Sequence, residues 1–213
     1  MAQPSDPVLA FFAQPQSQSA ADDHLVRARR LLERAIRQRW ADGILSRDQD
    51  GGYVGPAEIE RLMRPASAPT DRIGDHRYAA SSPIGALVGK LNLKPTEADL
   101  LAVLFACETD PPSARLAAYL SGQPNGFSMT VDTLFEIIYR PRAHTTSDAA
   151  TLLHGDLAPD GPARRLRFLV VDGADSRPFL MQGGRLQPRL TAWLLGRHTL
   201  VAELTANARL ISP

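Results

Sequence analysis

Cysteine is almost absent from this chain. Cys107 is the only one, which rules out an intrachain disulfide and any zinc site built on several thiolates. Long apolar runs are lacking too. The longest, Leu100 to Cys107, falls far short of the roughly 20 residues that a membrane-spanning helix needs. Neither sign of charge dominates: 24 Lys and Arg against 23 Asp and Glu give a formal net charge of +1. Bulk charge therefore does not drive the chain toward nucleic acid or an anionic membrane, and only local patches could do so. The start, Met-Ala-Gln-Pro-Ser-Asp-Pro, lacks the basic end and apolar run of a secretory signal. These absences lead us to expect a cytoplasmic protein without membrane contact.

Catalytic signatures are missing as well. Gly85-Ala-Leu-Val-Gly89-Lys90-Leu91 has three residues between its glycines and a leucine after the lysine. A phosphate-binding Walker A loop needs four residues there, and a Ser or Thr after Lys to hold magnesium. An amphipathic helix with two permissive glycines is the better reading. His24, His76, His144, His154 and His198 are scattered without zinc spacing. No Gly-x-Ser-x-Gly elbow exists, so a hydrolase nucleophile has no support. Asp48-Gln-Asp50-Gly lacks the distal glutamate of a calcium loop, and Cys107 lies in the most apolar stretch, where a thiol is an inert small hydrophobe. We expect no enzyme, no metal and no cofactor.

What is present is enough apolar material for a core: 44% of 213 residues are hydrophobic. Residues 1–21 are rich in Gln, Pro, Ser and Ala apart from Phe11-Phe12, the composition of a flexible tail. Residues 22–64 read as a helical segment. Leu25, Ala28, Leu32, Ile36 and Trp40 share one face, while Arg27, Arg30, Arg34 and Arg37 share another, with Glu33 one turn from Arg37. Arg29 and Arg39 adjoin that arginine face. A short helix follows Pro56, and residues 65–82, without periodicity, read as a linker.

Residues 83–213 are denser. Helices are predicted over Ile84 to Leu91, after Lys-Pro-Thr-Glu-Ala-Asp with Thr96 as cap, after Asp110-Pro111, after Ser128 or Thr130, and over Ser147 to His154. The helix containing Leu100 to Cys107 is apolar nearly all round and should be the buried centre. Arg165 to Val171 and Pro178 to Met181 then read as two strands, with turns at Asp172-Gly173 and Gly183-Gly184, before a last helix from Pro188 to Leu195. Helices followed by a β-hairpin outline a winged helix, so the expected fold is mainly α with a small hairpin. Arg164, Arg165 and Arg167, at the first strand, are the second basic feature beside the arginine face. In a DNA-binding winged helix such a wing would touch phosphates while the preceding helix enters the major groove. Thr130 to Tyr139, taken as that helix, carries Asp132 and Glu136, which a phosphate backbone would repel, so DNA is not expected.

Leu91 to Gly196 resembles the winged-helix-like region that precedes the ATPase module in some bacterial AAA+ proteins of contractile injection systems, the phage-tail-like particles. Three stretches carry the resemblance: Leu93 to Pro111 (LKPTEADLLAVLFACETDP), Ala114 to Leu120 with the following MTVDTLFEII, and Leu186 to Gly196 (LQPRLTAWLLG). It covers about half of the chain and rests on helix caps and core leucines, so it transfers no catalytic residue. The resemblance implies a non-catalytic recognition or adaptor domain that binds cargo or a particle component, with a Walker A loop and ring assembly supplied by an ATPase module beyond Pro213. A DNA-binding regulator and a structural scaffold protein are the alternatives. The candidate partner-binding residues are Arg27, Arg30, Arg34, Arg37, Arg165 and Arg167.

Overall fold

The computed structural model describes residues 18–45, 54–63, 77–122, 129–172 and 177–197. Most of the expected tail with Phe11 and Phe12, the linker up to residue 76, the Asp48–Asp50 loop, His76 and His198 lie outside the described residues.

Helix α1 (Gln18–Ala41) begins four residues before the predicted start at Asp22. Ala28, Leu31, Leu32, Ala35 and Ile36 are buried along it, with Leu25 and Trp40 packed at the margins. It ends in a turn where Gly43, at φ 68°, donates its N–H to the carbonyl of Trp40 at 3.2 Å, a conformation that glycine adopts without a Cβ penalty. The apolar stripe of α1 joins the same continuous core as the later helices. The N-terminal helical segment is thus packed into the main body.

Helix α2 (Pro56–Leu62) buries Ile59. Helix α3 (Pro83–Leu91) is capped by Ser82, whose hydroxyl accepts from the Gly85 N–H at 3.0 Å. A Cβ on Gly85 would stand 2.0 Å from the Ala79 carbonyl oxygen. That glycine serves close backbone approach inside a helix, so the motif that superficially suggested a phosphate loop is structural.

Helix α4 (Pro95–Thr109) is the centre, buried from Thr96 through Ala106. Thr96 was expected to cap it. The helix instead starts at Pro95, which makes Lys94 the cap position, and the Glu97 carboxylate accepts the Lys94 N–H at 2.9 Å. Helix α5 (Pro111–Ser121) follows as read: Asp110 accepts from the Ser113 N–H at 3.1 Å and Gly122 closes the helix at φ 64°.

The remainder is strand β1 (Met129–Thr130), helix α6 (Val131–Leu134), α7 (Thr146–Asp156), α8 (Pro162–Arg165), strands β2 (Leu169–Asp172) and β3 (Gly183–Leu186), and α9 (Pro188–Leu194). Helix α6 widens into a π-helical turn over Phe135–Tyr139, then tightens into a 3-10 turn over Arg140–Arg142. The strands form an antiparallel sheet in the order β1-β3-β2, with Met129 opposite Gly184 and Leu169 opposite Leu186.

The hairpin is real, but its strands are shifted from the predicted ones. Arg165 ends a helix, and Arg167 takes a left-handed φ of 54°, so the first strand cannot start before Leu169. Phe179–Met181, read as the second strand, is a 3-10 turn after Pro178; proline has no N–H to give a ladder. Gly183 and Gly184, read as a turn, begin the true strand. A Cβ on Gly184 would come within 3.3 Å of Leu134 Cδ1. Close packing on α6, rather than turn geometry, calls for glycine there. The chain is mostly helical with a small three-stranded antiparallel sheet, one strand more than the sequence indicated.

Candidate interaction surface

The arginine face of α1 is largely committed inward. Arg27 grips Asp99 with Nε at 3.2 Å and Nη2 at 2.9 Å. Arg29 and Arg37 flank the buried Glu33 at 3.2 and 3.4 Å, and Arg29 also reaches the Leu62 carbonyl. Arg34 donates to the Ile137 carbonyl at 3.2 Å and Arg39 to that of Leu120 at 2.7 Å. Of Arg27, Arg30, Arg34 and Arg37, only Arg30 is fully at the surface. Helical spacing places these residues on one face, but that face lies against α2, α4, α5 and the π-helical turn. The stripe thus carries a set of internal ties, while Arg34 and Arg39 also line a pocket with Glu136 and Arg140.

Two buried carboxylates anchor this region. Asp99, 1% exposed, accepts from Arg27, from the Tyr78 hydroxyl at 2.5 Å and from Arg142. Burial alone would raise its pKa. The bonds and charge of Arg27, with Tyr78 and Arg142, outweigh that and hold the carboxyl below its usual range. Tyr78 titrates well above an ordinary tyrosine, through burial first and then the Asp99 charge. Tyr78 belongs to the stretch read as linker, so residues just before α3 are fixed to the core. Asp156, fully buried at the end of α7, accepts from Lys94 Nζ at 2.9 Å and from the Thr96 hydroxyl. That bond raises the Lys94 pKa, while burial raises that of Glu97. Neither carboxylate opens on a cleft; they clamp α4 to α1 and α7.

Helices α6 and α7 followed by β2 and β3 make a helix-turn-helix with a wing. The long helix that precedes the hairpin is α7, followed by the short α8, not the Thr130–Tyr139 stretch that the sequence suggested. Of the two acids weighed against DNA, Glu136 is held by Arg140 at 2.8 and 2.9 Å. The exposed residues of α7 are Thr146, Ser147, Asp148, Thr151, Leu152, His154 and Gly155, with no lysine or arginine among them. The His154 ring stacks on Phe179 with centroids 4.4 Å apart. This ties α7 to the 3-10 turn of the wing, which presents Leu180 and Met181 at 45% and 59% exposure.

Basic charge gathers elsewhere, at the base of the hairpin. Arg164 and Arg165 end α8, Arg167 occupies the next turn, and Arg189, absent from the predicted set, arrives from α9. The Leu169–Leu186 pair lies at this end of the ladder and Asp172–Gly183 at the wing-tip end, so Arg165 and Arg167 stand away from the tip. Arg185, between the two ends, pairs with Asp172 at 2.8 Å. Arg189 had a readable signal only in the pairing of β2 with β3, which sequence reading had out of register.

Among the described residues no group of His, Cys, Asp and Glu could hold a metal ion, and no helix is long and apolar enough to cross a membrane. A family model described as "Winged helix domain, variant" matches residues 19–208. No curated protein and no solved structure matches the chain.

Proposed function

The chain belongs to the winged helix domain family in its variant form, and on that premise we propose that it is a non-catalytic protein-recognition module. At the coarse level the family supports either a DNA-binding or a protein-interaction module. The observation that favours protein is the surface of α7. A recognition helix that enters the major groove brings polar and basic groups to base edges and phosphates. Helix α7 offers no exposed lysine or arginine, and the wing turn beside it shows Leu180 and Met181, the kind of apolar contact found at the centre of protein interfaces.

An anisotropy titration against a labelled mixed-sequence duplex, at low and at physiological salt, tests this reading. No saturable complex is expected. A complex whose log affinity falls with log salt by about 0.9 per phosphate contacted would replace the proposal with the DNA-binding regulator.

The finer proposal follows the resemblance of Leu93 to Pro111 and Leu186 to Gly196. In this reading the module is the adaptor of a AAA+ ATPase of a contractile injection system and presents a protein cargo or particle component to it. The reading frame past the codon for Pro213 tests it. A Gly-x-x-x-x-Gly-Lys-Ser/Thr loop there supports the adaptor, whereas a stop codon leaves a stand-alone interaction or scaffold protein.

A further inference from the structure

Four arginines stand around the base of the hairpin. Arg164 Nη1 donates to the Leu157 carbonyl at 3.3 Å, and Arg189 Nη2 donates to the Leu166 carbonyl at 3.0 Å. The Arg189 guanidinium therefore lies against the turn that carries Arg165 and Arg167. Arg165, Arg167 and Arg189 are exposed. Among the described residues none of the four forms an ion pair. Arg27, Arg29, Arg37, Arg115, Arg140, Arg142 and Arg185 each have one.

This patch is unfavourable in isolation on two counts. Neighbouring like charges repel, and Arg167 sits at φ 54°, where a residue with a Cβ is strained and glycine is the usual helix-terminating choice. Strain and uncompensated charge at one exposed spot point to a ligand of opposite charge. Two of the guanidiniums are already held by carbonyls, so less rotamer freedom is lost when they bind.

The ligand chemistry follows from the surroundings. A duplex would need cations from α7 as well, yet α7 exposes no lysine or arginine and shows Asp148 at its start, the end of a recognition helix that meets base edges. Guanidinium forks match carboxylates in paired geometry. We propose that Arg164, Arg165, Arg167 and Arg189 form a docking site for an acidic segment, rich in Asp or Glu, of a protein partner. This rests on the protein-recognition reading and names the chemistry of its partner.

The test uses the whole chain and a fluorescently labelled oligoglutamate peptide, followed by anisotropy and by amide shifts. Binding at low salt is expected, with shifts centred on residues 164–168 and 189. The double variant Arg165→Glu/Arg167→Glu should weaken it roughly tenfold or more, while the control Arg30→Glu/Arg61→Glu, also at exposed positions, changes it by less than about twofold. Arg167→Gly should weaken binding while the melting temperature holds or rises, which separates lost binding from lost folding. Binding unaffected by the hairpin variants, or weakened equally by the control, overturns the docking site and leaves the protein-recognition reading standing. Shifts at these amides produced by duplex DNA and not by the peptide overturn both.

Discussion

Arginines do opposite things in two parts of this molecule. Beside α4 they are buried against a carboxylate: Arg27 and Arg142 both reach Asp99, which is 1% exposed. At the hairpin base Arg164 and Arg189 rest on main-chain carbonyls, Arg165 and Arg167 are exposed, and among the described residues none of the four meets an acid. The first group is held by a low-dielectric interior in which each partner makes the other tolerable. In the second, Arg164 and Arg189 are each tied to a main-chain carbonyl. An arginine therefore says little by type or spacing; its meaning comes from whether a buried acid stands within reach.

The sharpest way to break the contrast is to remove the acid. Asp99→Ala would leave two guanidiniums nearly buried without their partner, and a loss of about 3–5 kcal/mol is expected, read from urea unfolding. The carboxyl of Asp99 is held below its usual range in the folded chain, so its stabilisation is complete above the unfolded value near pH 4 and is lost as pH falls through the lower folded value. Asp99→Asn should accordingly flatten the stability–pH profile below about pH 4, with Glu97, whose raised pKa slopes the other way, unchanged in both proteins.

Asp156→Ala comes next, at about 1–3 kcal/mol, because Thr96 is left buried without its acceptor while Lys94, half-exposed, can return to water. At the hairpin the effects should be small and differ in sign. Arg167→Gly relieves the left-handed strain but gives the unfolded chain more freedom, for a net gain of up to about 1 kcal/mol, or roughly 2–4 °C in melting temperature. Arg165→Glu/Arg167→Glu should alter unfolding free energy by no more than about 0.5 kcal/mol per site. A large loss from this pair would erase the distinction between the two regions.

Much of the helical architecture was legible. The Asp110-Pro111 start, the Gly122 stop and the apolar centre of α4 are local signals with local causes, and they stand where the sequence put them, while of Ser128 and Thr130 it is Thr130 that caps α6. The hairpin was less legible because Gly183 and Gly184 carry turn chemistry by type, while their actual role is set by Leu134 packed beneath them. The surface was hardest to read. The arginine face of α1, offered as a partner-binding surface, is tied to α2, α4, α5 and the π-helical turn, contacts between residues far apart in sequence. Asp99 reads in the sequence only as the last residue of the Lys-Pro-Thr-Glu-Ala-Asp helix start. Nothing nearby in the chain announces that Tyr78, Arg27 and Arg142 converge on it.

The wide turn over Phe135–Tyr139, where the Arg140 N–H reaches back five residues to the Phe135 carbonyl, also sets the phase of everything after it. Each residue of an α-helix advances the chain by about 100° around the axis. Deleting one residue here would restore ordinary pitch, yet it would rotate Arg142 away from Asp99 and swing the start of α7 with it. Single-residue length changes in this stretch should therefore be tolerated only in compensating pairs, while α1, which has no such turn, sets its phase through a regular helical repeat.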